Sequence, residues 1–218
     1  MIPFLEEIKI KEVSNMKYLM GVDLGSGSIR AVVYNQHGIS VAQASTPTEM
    51  ITPDPSKPTE IIWNHEHIWK ASCETIKEAI SKLPKGVIIE GVAIACLGMD
   101  CLPIDKKGAV LYPFISWHDT RTLPQLEKWK KEFGAKKQFK KTGYQLFPFN
   151  PLFRLQWLAE NEPDILAKTH KWVQMGDYVN MKLCGRIATD YSQAAGTQLF
   201  DPVIKDWSEE LLDKANID

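Results

Sequence analysis

The run at residues 87–97 (VIIEGVAIACL) constrains this chain more than any other stretch. Alternate residues Ile89, Gly91, Ala93, Ala95 and Leu97 fall on one side. Ile88, Val92, Ile94 and Cys96 fall on the other, and Glu90 is the one interruption. A strand that is apolar or small on both sides belongs between two neighbours, under helices on both faces. The run therefore predicts an α/β layer architecture with this strand near its centre.

The flanking sequence supplies such neighbours. Residues 17–23 (KYLMGVD) form a short apolar run that stops at Gly-Ser punctuation, the mark of a buried strand. Residues 30–35 and 39–44 give two more strands around Gln36-His37-Gly38, a compact hairpin turn. Three strands in quick succession predict an antiparallel meander. A Pro- and Thr-rich loop over 46–59 follows. A helix is expected over 64–83, capped by Asn64, with Trp69, Cys73, Ile76, Ile80 and Leu83 as its apolar face. Pro84 and Gly86 end it. Residues 101–113 predict a hairpin turning at Asp105-Lys106-Lys107-Gly108, and helices are expected at 123–133, 151–160, 172–183 and 208–214. The order β-β-β-α-β followed by helices predicts a mixed sheet.

Composition narrows the partners. The formal charge of −1 gives no electrostatic argument for nucleic acid or an anionic membrane. No stretch approaches the roughly 20 apolar residues of a membrane span. Residues 1–15 lack the apolar core of a signal peptide. Met16 stands directly before the first strand, so residues 1–15 are expected to be an extension outside the fold, and the protein to be cytoplasmic. Cys73, Cys96, Cys101 and Cys184 follow no zinc-ligand spacing and are expected as buried reduced thiols.

Four constellations could carry chemistry. In the loop Asp23-Leu24-Gly25-Ser26-Gly27-Ser28-Ile29-Arg30, the glycines let backbone N–H groups converge on an anion. Ser26 and Ser28 add hydroxyl donors. Arg30 could neutralise phosphate oxygens, and Asp23 could hold a magnesium ion directly or through water. The loop has no Walker lysine and leads into a strand, which excludes a P-loop and a dinucleotide fold. An ordinary Gly-Ser hairpin turn is the plain alternative. At the end of the 87–97 strand, Gly98-Met99-Asp100 places a carboxylate where ligands of α/β sheets gather; a local turn cap is the alternative. Ser116-Trp117-His118-Asp119-Thr120-Arg121 sets an indole beside a carboxylate and a guanidinium, as sugar recognition does. There the alternative is a structural Asp119–Arg121 pair. Residues 142–151 (TGYQLFPFNP) bring Tyr144, Phe147 and Phe149 to a helix start, where they line either a pocket or the core, and Asn150 is the expected N-cap.

Taken in order, the Asp-x-Gly-Ser loop, the Gly-Met-Asp strand end, Ser-Trp-His-Asp-Thr-Arg and Thr-Gly-(aromatic)-Pro-Phe-Asn resemble the N-terminal domain of the FGGY carbohydrate kinases. These belong to the actin–hexokinase superfamily. The likeness continues through Trp157-Leu158-Ala159-Glu160-Asn161-Glu162-Pro163 and the 189–201 stretch, and covers residues 16–218. Within the family, Ala44-Ser45-Thr46-Pro47, residues 111–117 and Phe149-Asn150 are most similar to members acting on L-fuculose. Members acting on L-rhamnulose share Pro-Phe-Asn.

The resemblance implies a ribonuclease H-like mixed sheet of the five-stranded type with helices on both faces, incomplete at its C-terminal end. It implies ATP and Mg2+ as cofactors and an open-chain ketose as substrate. Ser26, Gly27, Ser28 and Arg30 match the phosphate side and Asp23 the position near the metal. Met99, Asp100, Trp117, Asp119 and Phe149 match the sugar side, with Asp190 and Asp201 bracing local helices. Relatives carry the catalytic base in a Gly-Asp motif further downstream. No catalytic base is therefore expected within this chain but beyond Asp218, and the C-terminal nucleotide-binding domain is expected to be absent from it. The chain alone is then expected to be inactive, or to act as a non-catalytic sugar-binding module. The outer edge of the 87–97 strand is expected to be covered by self-association or by residues 1–15. The partners expected are a second copy in a homodimer or a C-terminal half supplied separately.

Overall fold

The computed structural model describes residues 16–217, so the expected N-terminal extension, 1–15, lies outside the described residues. In chain order the strands are β1 (Tyr18–Leu24), β2 (Ser28–Asn35), β3 (Ser40–Pro47), β4 (Met50–Ile51), β5 (Ile62–Trp63), β6 (Ile89–Cys96), β7 (Cys101–Ile104), β8 (Phe114–Ile115), β9 (Lys171–Gln174), β10 (Phe200–Asp201) and β11 (Asp206–Trp207). The helices are α1 (His65–Ser81), α2 (Leu123–Glu132), α3 (Ala135–Thr142), α4 (Pro151–Asn161), α5 (Pro163–Lys168), α6 (Met175–Cys184), α7 (Tyr191–Gly196) and α8 (Glu209–Ala215). They form two compact units. The first takes the chain up to Glu49 with Glu66–Cys96, and the second takes Met50–His65 with the chain from Leu97 onward.

The first unit is a mixed sheet in the order β3-β2-β1-β6. The predicted meander is present: β1 pairs antiparallel with β2, and β2 with β3. Alternation sends Tyr18, Met20, Val22 and Leu24 of β1, Ile29, Ala31 and Val33 of β2, and Ala42 and Ala44 of β3 to one buried face. Leu19 on the opposite face is exposed.

Helix α1 covers the buried face through Ile68, Ala71, Ser72, Thr75 and Ala79, not through the expected Trp69, Cys73, Ile76, Ile80 and Leu83. Ile80 is exposed. Small side chains let the helix lie close to the sheet. The Ser72 and Thr75 hydroxyls donate to the helix carbonyls of Ile68 and Ala71 at 2.7 Å each, so neither is buried without a partner. Thr75 also reaches the Thr46 hydroxyl of β3 at 2.7 Å.

Strand β6 departs from expectation. It pairs parallel with β1, from Tyr18↔Ile89 to Leu24↔Cys96, and lies at the edge of the sheet. Among the described residues no strand pairs with its other side, and none of its residues is fully buried. Val92 is 46% exposed. The expectation of a central strand covered on both faces fails because apolar composition sets what a strand tolerates, whereas burial needs a second neighbour and a second layer.

The second unit is mainly helical, with small antiparallel sheets β4-β5-β8, β7-β9 and β10-β11. Its core joins Leu126 and Trp129 of α2, Leu152, Phe153 and Leu155 of α4, and Leu199 and Leu211. The turn at Asp105–Gly108 forms as predicted, closed by Gly108 N–H to Asp105 O at 3.0 Å. The helix expected at 172–183 is corrected: residues up to Gln174 form β9, and α6 begins at Met175. Strand β9 pairs with β7, from Cys101↔Gln174 to Ile104↔Lys171, and this tertiary partner overrides the helical pattern. Helices α3, α5 and α7 were not foreseen; all are short. The expectation of buried thiols holds for Cys101 alone, since Cys73 and Cys96 are half-buried and Cys184 is exposed. No helix among the described residues is long and apolar enough to cross a membrane.

Candidate functional site

The first unit carries the Gly-Ser loop between β1 and β2. The ladder runs to Leu24↔Ile29, and Gly25 N–H then donates to Ser28 O at 3.1 Å. Ser26 and Gly27 are thus the tip of a two-residue hairpin. A Cβ on Gly25 would stand 3.0 Å from the Ser28 carbonyl oxygen, a tight contact that glycine avoids. Thr48 clamps the loop, its hydroxyl donating to Gly25 O at 3.0 Å and its N–H to Gly27 O at 3.3 Å. None of residues 25–28 has a left-handed backbone. The loop therefore offers N–H groups from a tight tip, not from a backbone of alternating hand. Among the described residues, the Ser26 and Gly27 N–H groups have no backbone partner. Asp23 and Arg30, opposite each other in the ladder, form an ion pair at 2.5 Å with both side chains substantially exposed.

The second unit gathers all five positions expected on the sugar side. The Trp117 indole, 39% exposed, meets Phe149 edge-on at 6.4 Å, and Phe149 stacks on Phe147 at 4.9 Å. Met99 lies against Gly196, where a Cβ would come within 2.6 Å of the Met99 methyl carbon. Asn150 heads α4, but its side chain makes no cap bond. Instead its Oδ1 accepts from Phe147 N–H at 2.6 Å and its Nδ2 donates to Gly196 O at 3.0 Å, tying the aromatic loop to α7.

Asp100 does not present the free carboxylate that its strand-end position suggests. It is fully buried, accepting from the Trp63 indole at 2.6 Å, from Arg154 Nη2 at 3.0 Å and from the Trp117 backbone N–H. Burial pushes its carboxyl above the usual carboxylate range, and the Arg154 guanidinium pulls it only partly back. Arg154 also donates to the Met99 carbonyl. Asp119 is equally enclosed: Arg121 bonds it in bidentate fashion, Nε to Oδ1 at 2.9 Å and Nη2 to Oδ2 at 2.6 Å, and Ile61 N–H donates to Oδ2 at 2.6 Å. Arg121 further donates to the Tyr112 hydroxyl at 3.0 Å and lies 4.8 Å over the Trp157 ring. The plain structural pair is what forms here. Cys101, buried in the same region, has its thiol pushed up to about 12 by desolvation, so it supplies no thiolate.

The sequence reading missed Arg154, Trp63, Gln138 and Gln198. Arg154 carried a signal: a lone cation inside the apolar stripe Leu152-Phe153-Arg154-Leu155 belongs to a buried pair. The glutamines gave none. Gln138 accepts from the Trp129 indole at 2.9 Å and donates to Gln198, which in turn donates to the Gln145 carbonyl at 2.9 Å. Together they fix the start of the aromatic loop. Asp190 caps α7, accepting from Ser192 and Gln193 N–H at 2.7 and 3.0 Å. Asp201 binds Val203 N–H at 2.9 Å and pairs with Lys141 at 3.3 Å.

The sheet β3-β2-β1-β6, antiparallel except for the parallel β1–β6 pair, is of the actin–hexokinase type of fold. Residues 18–218 match the FGGY family of carbohydrate kinases, N-terminal domain, and the chain belongs to that family. It is 30% identical over 199 residues to the L-fuculokinase of Escherichia coli (strain K12), covering 91% of this chain and 42% of that protein. It is also 30% identical over 204 residues to the xylulose kinase of Staphylococcus xylosus, covering 93% of this chain and 41% of that protein. The gluconate kinase structure from Lactobacillus acidophilus superposes with a TM-score of 0.86 at 24% identity, over 94% of this chain and 40% of that one. The chain thus spans about two-fifths of the length of the curated relatives it matches.

Proposed function

We propose that this domain serves an ATP-dependent kinase that phosphorylates a terminal hydroxyl of an open-chain ketose of the L-fuculose type. The observation that carries the reading is the Trp117–Phe149 pair, an accessible apolar edge at a strand end in a member of a sugar kinase family. The likeness to L-fuculokinase favours this ketose. Trp117, Phe149 and Met99 receive the C–H faces of the sugar. Asp100 and Asp119, both enclosed, act as positioning residues: Asp100 holds the Trp117 backbone N–H, and Asp119 holds Ile61 and Arg121.

On the first unit, the N–H groups at the Ser26–Gly27 tip, the Ser28 hydroxyl and Arg30 receive phosphate oxygens. Asp23 fits Mg2+, which takes one or two carboxylates and fills its remaining positions with water and phosphate. A magnesium ion there supplies charge neutralisation on the phosphates. Asp23 would give a partly exposed oxygen ligand, and Arg30, paired with it here, would then be free to meet phosphate. The reading assigns no proton acceptor to this chain, because the carboxylates of the aromatic cluster are buried and committed to arginines.

Assayed alone with ATP and magnesium, the chain is expected to bind L-fuculose by calorimetry in preference to D-xylulose or gluconate, while a coupled ADP-release assay shows no turnover. Trp117→Ala should weaken binding by roughly tenfold, the loss of one aromatic contact. Preferred binding of gluconate or xylulose sinks the substrate reading. Turnover approaching roughly 1–100 per second places the base inside this chain after all.

A further inference from the structure

A cavity of the second unit, about 430 Å³, shares no residue with the Trp117 cluster. That size lies within the roughly 300–1,000 Å³ of small-molecule sites. Its apolar walls come from Trp172, Leu199, Trp207 and Leu212. Trp207 is held edge-on against Phe200 at 5.8 Å. Gln174, only 4% exposed, lines the same cavity and leaves its Oε1 without a partner among the described residues. The amide orientation is fixed, because its Nε2 donates to the Gln193 carbonyl at 2.8 Å. The free atom is therefore a buried acceptor left unmatched, which destabilises the protein until a donor meets it. Asp177, from the first turn of α6, adds a second acceptor to the lining, and Lys171, the first residue of β9, adds a donor.

We infer that this cavity is a second small-molecule site, built for a neutral polyhydroxylated ligand, a monosaccharide or polyol, laid against the two indoles. Lys171 and Asp177 bring one charge of each sign to the lining, which therefore favours no net ionic ligand. A hydroxyl group both donates and accepts, so one ligand can satisfy Gln174 Oε1 and the Asp177 carboxylate while accepting from Lys171. The indoles take the C–H face. This goes beyond the kinase reading, which uses none of these residues.

The test is fluorine NMR of the full chain carrying fluorotryptophan at its seven tryptophans, each resonance assigned by a Trp→Phe substitution. L-fuculose titrated into the protein should shift the Trp172 and Trp207 resonances saturably. Gln174→Leu should weaken that response by roughly tenfold, with unchanged Trp63 and Trp129 resonances reporting an intact core. Asp177→Asn serves as the independent second variant and should also weaken it. The Trp117 resonance reports the proposed substrate cluster separately. Movement of Trp117 with Trp172 and Trp207 still overturns the second site and leaves the kinase reading standing. Movement of Trp172 and Trp207 alone supports the second site and counts against the substrate cluster. Stillness of all three overturns both. A response to 2-phenylethylamine but not to L-fuculose or glycerol overturns the ligand class, and a response untouched by both variants overturns the site.

Discussion

Two carboxylate–arginine pairs, one in each unit, look alike as contacts and differ in almost everything else. Asp23–Arg30 spans 2.5 Å with side chains 44% and 59% exposed, and Asp100–Arg154 spans 3.0 Å with side chains 0% and 1% exposed. Water decides what each can do. The exposed pair gains little from its contact, because the solvated ions are nearly as well off apart. It can therefore exchange partners, as the proposed phosphate-receiving role of the loop requires. The buried pair has no such freedom: each ion has lost its water, and the other is its main compensation. Asp100 accordingly acts as a bracket, holding the Trp63 indole and the Trp117 N–H while Arg154 holds the Met99 carbonyl.

The sharpest way to break this contrast is to remove one buried partner. Arg154→Leu leaves Asp100 uncompensated in the core and is expected to lower stability to urea by about 3–5 kcal/mol. A loss below about 1 kcal/mol would mean that the pair is solvated and the contrast false. A smaller effect comes from Asp177, a buried carboxylate with no arginine. Desolvation, opposed by the Thr189 hydrogen bond and assisted by Asp190, pushes it from 3.8 up to about 6. The folded state therefore binds this proton more tightly than the unfolded state, and ionisation opposes folding. The penalty is absent near pH 4, grows as pH rises toward 6 and is complete above it. Asp177→Asn should thus gain about 1 kcal/mol at pH 7.5, a figure discounted for the solvent that reaches the carboxylate, and gain nothing near pH 4. Urea melts at the two pH values check the sign. The smallest change belongs to the exposed pair: Arg30→Ala should alter stability by less than about 1 kcal/mol, and less again in high salt.

The sequence made the meander legible because period-two alternation and a Gly-containing turn are local properties. It made the motifs around Met99, Trp117 and Phe149 legible, since each sits in a short, distinctive neighbourhood. Which groups of that set face solvent was not legible. Asp100 is enclosed by Trp63 and Arg154, and neither lies near it in sequence. The same holds for α1, whose buried face was decided by the closeness of β3 rather than by the largest apolar side chains. Strand β9 was read as helix because its partner β7 is equally remote. The edge position of β6 followed only from the family likeness and not from its composition, which records what a strand can bear, not what stands beside it.

The pairing of β7 with β9 also imposes an order of events on the growing chain. The meander joins neighbours across turns of a few residues, so its loops close quickly and early. Cys101, by contrast, faces Gln174 only after α2, α3, α4 and α5 have been made and gathered. Contacts so distant along the chain are slow to form, since closure entropy must be met before the ladder returns anything. Met175 N–H then bonds the Asp100 carbonyl at 2.8 Å as the last rung of that ladder. The backbone beneath Met99 and Asp100 is thus set late, and the first unit can have its hairpin loop in place well before the second unit has its strand end.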